Sequence, residues 1–169
     1  ETQGSLLEPI YFTLDSKPDL FNYAQSTAQA FYYVEQATIN NIQIDPEDWI
    51  GAFNGDICVG ARQWDTSLCN GGQCEIPLMG YDGNEYSSGY MQSGDVPSFK
   101  IYDASEDTYY NANYSEPAED VEWENFGFIF INSLNASSVI LGCMDESACN
   151  YDDTAVEDDG TCVYTDYCF

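Results

Sequence analysis

The sequence contains no histidine and only three cations, Lys17, Arg62 and Lys100, against 30 acids. Without histidine there is no Ser–His or Cys–His nucleophile system, and the commonest zinc ligand is missing. A net charge of −27 repels nucleic acid and anionic membrane surfaces and draws in cations, so neither of the former is expected as a partner. No apolar run reaches the roughly 18 residues of a helical span, so membrane insertion is not expected. No stretch holds the ~3.6-residue apolar period of an amphipathic helix for three turns. The chain starts at Glu1 without methionine or a signal-like apolar stretch. Combined with its cysteines, this leads us to expect a mature chain whose leader has been removed, or one repeat of a longer polypeptide.

What is present suits a β-rich globule. Apolar residues make up 44% of the chain, enough for a core. Gly, Asn, Asp and Pro punctuate the first 140 residues, with β-branched and aromatic runs between them. Strands are predicted at Ile10–Leu14, Ala30–Ala37, Thr38–Ile44, Trp49–Phe53, Ile57–Arg62, Phe99–Asp103, Thr108–Ala112, Phe126–Leu134 and Ser138–Leu141. Asn54-Gly55 in "FNGDIC" is a hairpin signal, and "YDGN" at 81–84 and "SGDVP" at 93–97 are further turns. The expected fold class is all-β, a β-sandwich or jelly roll over residues 1–141, followed by a small disulfide-stapled acidic module over 142–169.

The seven cysteines, Cys58, Cys69, Cys74, Cys143, Cys149, Cys162 and Cys168, read as disulfide partners in an oxidising, extracellular space. The last four follow C-x5-C-x12-C-x5-C, which fits zinc-ligand spacing poorly and leaves three pairings open. "CNGGQC" predicts a local Cys69–Cys74 bridge, with Cys58 as a rival partner; a redox pair would want two intervening residues rather than four. An odd count leaves one cysteine unpaired within the chain. Position points to Cys168, and Cys58 is the alternative if Cys69 and Cys74 pair locally.

Segment 142–169 has too few apolar residues to offset its chain entropy, so staples must hold it. Asp145, Asn150, Asp152, Asp158 and Asp159 gather hard oxygen ligands in one loop, as calcium requires, although the EF-hand pattern is missing. The alternative is a solvated acidic loop held by disulfides alone. "DGNE" at 82–85 is a second, weaker calcium candidate.

The stretch "GCMDESACNYDDTAVEDDGTCVY" resembles a short repeat of very large secreted proteins of marine bacteria, of the form GC-T-D-x-x-ACNY-x-x-x-A-x-x-DDG-S-C-x-Y. The acids of that repeat resemble the calcium-binding repeats of thrombospondin. The preceding "FYYVEQATIN…DWIGAFNGDICVGARQWDTSLC…GDVPSFKIYDAS" is similar to a domain of unassigned activity that travels with the repeat. The resemblance implies cell-surface or matrix architecture rather than catalysis.

Arg62 and Lys100 fall in patterned strands, where ion pairs with nearby acids are expected. The 14 Tyr, 9 Phe and 3 Trp could supply a sugar-stacking platform, but in a sandwich most would be core. Asn113 in "NYS" and Asn135 in "NAS" are glycan-acceptor sequons, with Asn113 expected in a polar loop. Leu6, Leu7, Ile10, Phe12 and Leu14 form an apolar strand near the amino terminus, suited to adding itself to a neighbouring subunit's sheet edge. The expectation is a non-enzymatic extracellular structural protein, polymerising by strand addition and stabilised by disulfides and calcium. The rival is a carbohydrate-binding module of a secreted adhesin or polysaccharide-degrading enzyme.

Overall fold

A computed structural model describes residues 17–69, 71, 73–115, 121–138, 141–153, 155, 157–158 and 160–164. The predicted strand Ile10–Leu14, with Leu6 and Leu7, lies outside the described residues. The fold is all-β. Its strands are β1 (Ala28–Ile39), β2 (Ile42–Gln43), β3 (Trp49–Asn54), β4 (Ile57–Gln63), β5 (Cys74–Gly80), β6 (Ser98–Asp103), β7 (Thr108–Tyr114), β8 (Phe128–Ala136), β9 (Leu141–Gly142) and β10 (Glu157–Asp158).

Eight of them join in one mixed sheet, in the order β2-β1-β8-β7-β6-β3-β4 with β5 also paired to β1. All pairs are antiparallel except β1 with β8, which run parallel from Phe31↔Phe128 to Ile39↔Ala136. The sheet curls so that β5 lies against β4, and Gly60 permits the approach. A Cβ on Gly60 would stand 2.0 Å from the Pro77 carbonyl oxygen, so no other residue fits there without backbone movement. Inside the curl, alternate residues of β1 (Ala30, Tyr32, Val34) meet Ile76 and Leu78 of β5, Ile50 of β3, and Phe99 and Ile101 of β6. A smaller cluster of Phe21, Trp49, Phe53, Cys58 and Ala61 covers the opposite side of β3 and β4.

Several expected boundaries shift, for local reasons. Ala30–Ala37 and Thr38–Ile44 are one long strand and a short one, separated by Asn40-Asn41 with φ of 52° and 64°. Asparagine tolerates that left-handed pair, and it builds a tight hairpin. At the β3–β4 hairpin Asn54 pairs with Ile57, so the loop is Gly55-Asp56, one residue later than expected. Gly55, at φ 58°, takes the first loop position. The Asn54 side chain instead donates to the Gly89 carbonyl at 3.1 Å. Strand β5 is not among the predicted strands, and it carries Pro77 at its centre. Its partner Phe31 donates its own N–H to the Gly127 carbonyl, on the β8 side. The Phe31↔Pro77 position therefore makes no ladder bond, and the missing proline donor costs nothing.

The C-terminal segment forms its own small framework. Cys143 and Cys162 are disulfide-bonded, with Cα atoms 4.9 Å apart, and β9 runs parallel to β10. Cys149 is also in a disulfide, and its N–H donates to the Val163 carbonyl. Cys168 lies outside the described residues.

Candidate functional site

On the outer face of β1 and β8 the parallel register places Phe31 beside Phe128 and Tyr33 beside Phe130. The residues between them, Tyr32, Ile129 and Ile131, turn inward to the core. The four rings lie nearly parallel in a zigzag. Centroids are 5.8 Å apart for Phe31–Phe128, 6.4 Å for Phe128–Tyr33 and 5.1 Å for Tyr33–Phe130, with planes within about 20°. Each such contact adds about 0.5–1.5 kcal/mol beyond area burial, so the ladder orders itself without being covered. Phe128 and Phe130 remain 64% and 65% exposed. A contiguous exposed apolar patch of this kind marks an interaction surface.

A cleft opens two residues beyond Tyr33 along β1, where Glu35 is one of its lining residues. Along β1 the face that carries Phe31 and Tyr33 continues to Glu35, and Gln73 lies just before Cys74, the partner of Val34. Glu35, Gln36, Gln43, Trp64, Thr66 and Gln73 line a cavity of about 490 Å³, within the range of small-ligand sites. Trp64 is 1% exposed, and its Nε1–H has no hydrogen-bond acceptor. An orphaned buried donor costs about 1–3 kcal/mol until an oxygen reaches it. Beside the ladder, Arg62 donates from Nη1 to Glu75 Oε1 at 2.7 Å and caps the polar rim, the ion pair expected for this residue.

In sequence these rings were visible as "FGFIF", with aromatics at every second position, but alternation alone does not tell which face is core. The cleft had no sequence signal, because it draws on four separate segments.

The structure describes four of the five calcium candidates and gives each of the four a local hydrogen-bond partner. Asp145 accepts from Ser147 N–H at 2.8 Å, from Ser147 Oγ at 2.6 Å and from Tyr164 Oη at 2.7 Å. These donors, Ser147 first, hold its carboxyl at about 2, below the usual carboxylate range. Asn150 clamps the chain through Nδ2 to the Thr161 carbonyl at 3.0 Å and through Oδ1 from Val163 N–H at 2.7 Å. Asp152 donates its N–H to the Cys143 carbonyl, and Asp158 accepts from Gly160 N–H. Asp159 lies outside the described residues. Among the described residues no group of three or more acids converges as a metal cage would. In "DGNE" the Asp82 carboxylate accepts from Tyr86, Ser87, Asn84 and Thr27, and its acidity is strengthened accordingly. It holds a turn together.

Cys69 and Cys74 close the expected local bridge, and Cys58 is then the free thiol, the alternative to Cys168; it is buried among Phe21, Trp49 and Phe53 and is not a disulfide partner. Burial pushes its thiol up in pKa. Two further expectations are corrected. Among the described residues Lys100 makes no ion pair; it donates to Asn111 Oδ1 at 2.5 Å and lies over the Phe53 ring. Asn113 sits in strand β7 opposite Asn135 rather than in a loop, yet it is exposed. Asn135 is half-buried and its amide is engaged, with Nδ2 donating to Ser133 Oγ and Oδ1 accepting from Thr38 Oγ1.

No family model, curated protein or solved structure matches the chain. The Cys69–Cys74 and Cys143–Cys162 disulfides fit an oxidising compartment, and among the described residues no helix is long and apolar enough to cross a membrane.

Proposed function

We propose that the chain is a non-enzymatic extracellular structural module, a subunit or repeat of a surface fibre, stalk or matrix. The observation that carries this reading is the tail, where the Cys143–Cys162 cross-link and side-chain-to-backbone clamps stand in for a hydrophobic core. Such a segment keeps its shape under extension and dilution, conditions in which a small apolar core would come apart.

Assembly by strand addition is part of the proposal. Among the described residues the terminal strand β2 hydrogen-bonds to β1 alone and leaves its other side without a ladder, whereas β4 and β5 lie against each other. The segment containing Leu6, Leu7, Ile10, Phe12 and Leu14 supplies a strand of suitable composition. The contact would be head-to-tail and non-closing, which builds a filament. Calcium belongs to the proposal on grounds of charge: 30 acids against three cations favour bound counter-ions, and Asp145, Asn150, Asp152, Asp158 and Asp159 are the densest oxygen cluster. Asn113, exposed on β7, is the better glycan acceptor of the two sequons.

Electron microscopy of the purified chain with calcium, before and after deletion of residues 1–14, tests this. Filaments that vanish on deletion while the sheet stays folded support it. A monomer at high concentration overturns it. Chelation should raise protease cleavage within 143–164, and unchanged cleavage removes calcium from the account.

A further inference from the structure

From the aromatic ladder and the cleft just beyond it along β1 we infer a binding site for one strand of an uncharged, hydroxyl-rich polysaccharide. Phe31, Tyr33, Phe128 and Phe130 offer an apolar track four rings long on a two-strand platform, with Phe128 and Phe130 exposed and Phe31 and Tyr33 half-buried. The C–H faces of pyranose rings pack on such a track. Two residues past Tyr33 begins the cavity lined by Glu35, and beside that carboxylate its groups are of the kind that read hydroxyls: the amides of Gln36, Gln43 and Gln73 and the Thr66 hydroxyl. An amide donates and accepts within one side chain, so a row of them suits hydroxyls, which do the same. Trp64 adds a buried N–H still waiting for an acceptor.

Charge selects among occupants. The chain carries −27, and the cation at this face, Arg62, is already paired with Glu75. An anionic polysaccharide meets repulsion and no free counter-charge. A neutral glycan carries no such penalty. This site is separate from the strand-addition reading, since it uses the sheet's outer face and not its edges.

The test is affinity electrophoresis and calorimetry of the intact chain against neutral β-glucan, xylan and mannan, with alginate as the anionic arm. At least one neutral polymer should retard the protein and shift its tryptophan fluorescence, while alginate does not. Tyr33→Ala with Phe130→Ala should weaken binding by about tenfold or more, and Gln73→Ala by several-fold, with circular dichroism unchanged. Should the double variant unfold, Phe128→Ser, which alters a two-thirds-exposed ring, gives the same reading. Retardation by no neutral polymer overturns the inference. So does binding that the ladder substitutions leave intact, or sedimentation showing that the ladder pairs two copies of the chain.

Discussion

The sheet and the C-terminal segment solve the same problem by opposite means. In the sheet, Tyr32, Ile50, Ile76, Leu78, Phe99, Ile101 and Leu134 are all but removed from water, and burial supplies the stability. In the tail the described buried apolar residues are Cys143 and Ala148. Order there comes from Cys143–Cys162 and the disulfide of Cys149, from the Asn150 clamp and from the turn capped by Asp145. Acidity is tolerable where cross-links do the holding, and among the described residues the sheet keeps its acids out of the core. The exception is Asp48, which is 5% exposed and accepts N–H donors from Asp45 and Ala104.

The strongest way to break the comparison is to hollow the sheet. Leu134→Ala or Ile76→Ala removes a fully buried side chain and should cost about 2–5 kcal/mol in denaturant unfolding. Amide protection in the tail of the still-folded protein should not change. Gly60→Ala comes next, because its Cβ must displace the Pro77 carbonyl; a loss of about 1–3 kcal/mol in the sheet transition is expected.

The smallest effect is on pH, and it has opposite signs in the two regions. Asp145 has its folded pKa lowered to about 2 from an ordinary 3.8, so its contribution is present above about pH 4 and is lost as pH falls toward 2. Asp48 has its folded pKa raised, first by burial, so ionising it works against the fold as pH rises through that raised value. Proton NMR between pH 2 and 5 should show the Ser147 amide losing its protection at the acid end, with Asp145→Asn abolishing the transition. A Ser147 amide indifferent to pH would remove Asp145 as the tail's cap.

Much of this architecture could be read in advance, and the misses have physical causes. Trp49–Phe53, Ile57–Arg62 and Phe99–Asp103 alternate or run apolar between turn residues, and strands stand there within a residue of the expected ends. Strand β5 is not among the predicted strands; it carries Pro77, whose cost depends on which side of the strand a ladder forms, a tertiary fact. The acids of the tail read equally well as ligands and as caps, because a carboxylate serves both. A finer signal was present in the sequence. Asp65, Asp103 and Asp145 each precede a serine by two residues, and each accepts from that serine's N–H and hydroxyl. That turn chemistry is local and could have assigned Asp145 beforehand. The ladder needed the structure, since both faces of "FGFIFI" are apolar.

Hydrogen exchange on the Cys143→Ser/Cys162→Ser double variant, compared with the native chain, tests the central contrast most directly. Closing a loop of this length is worth about 3 kcal/mol, most of what so small a segment can have. The account predicts that amides from 143 to 164 exchange at nearly unprotected rates while those of β1 and β8 keep theirs. Retained tail protection, or a sheet that loses protection along with the tail, would contradict it.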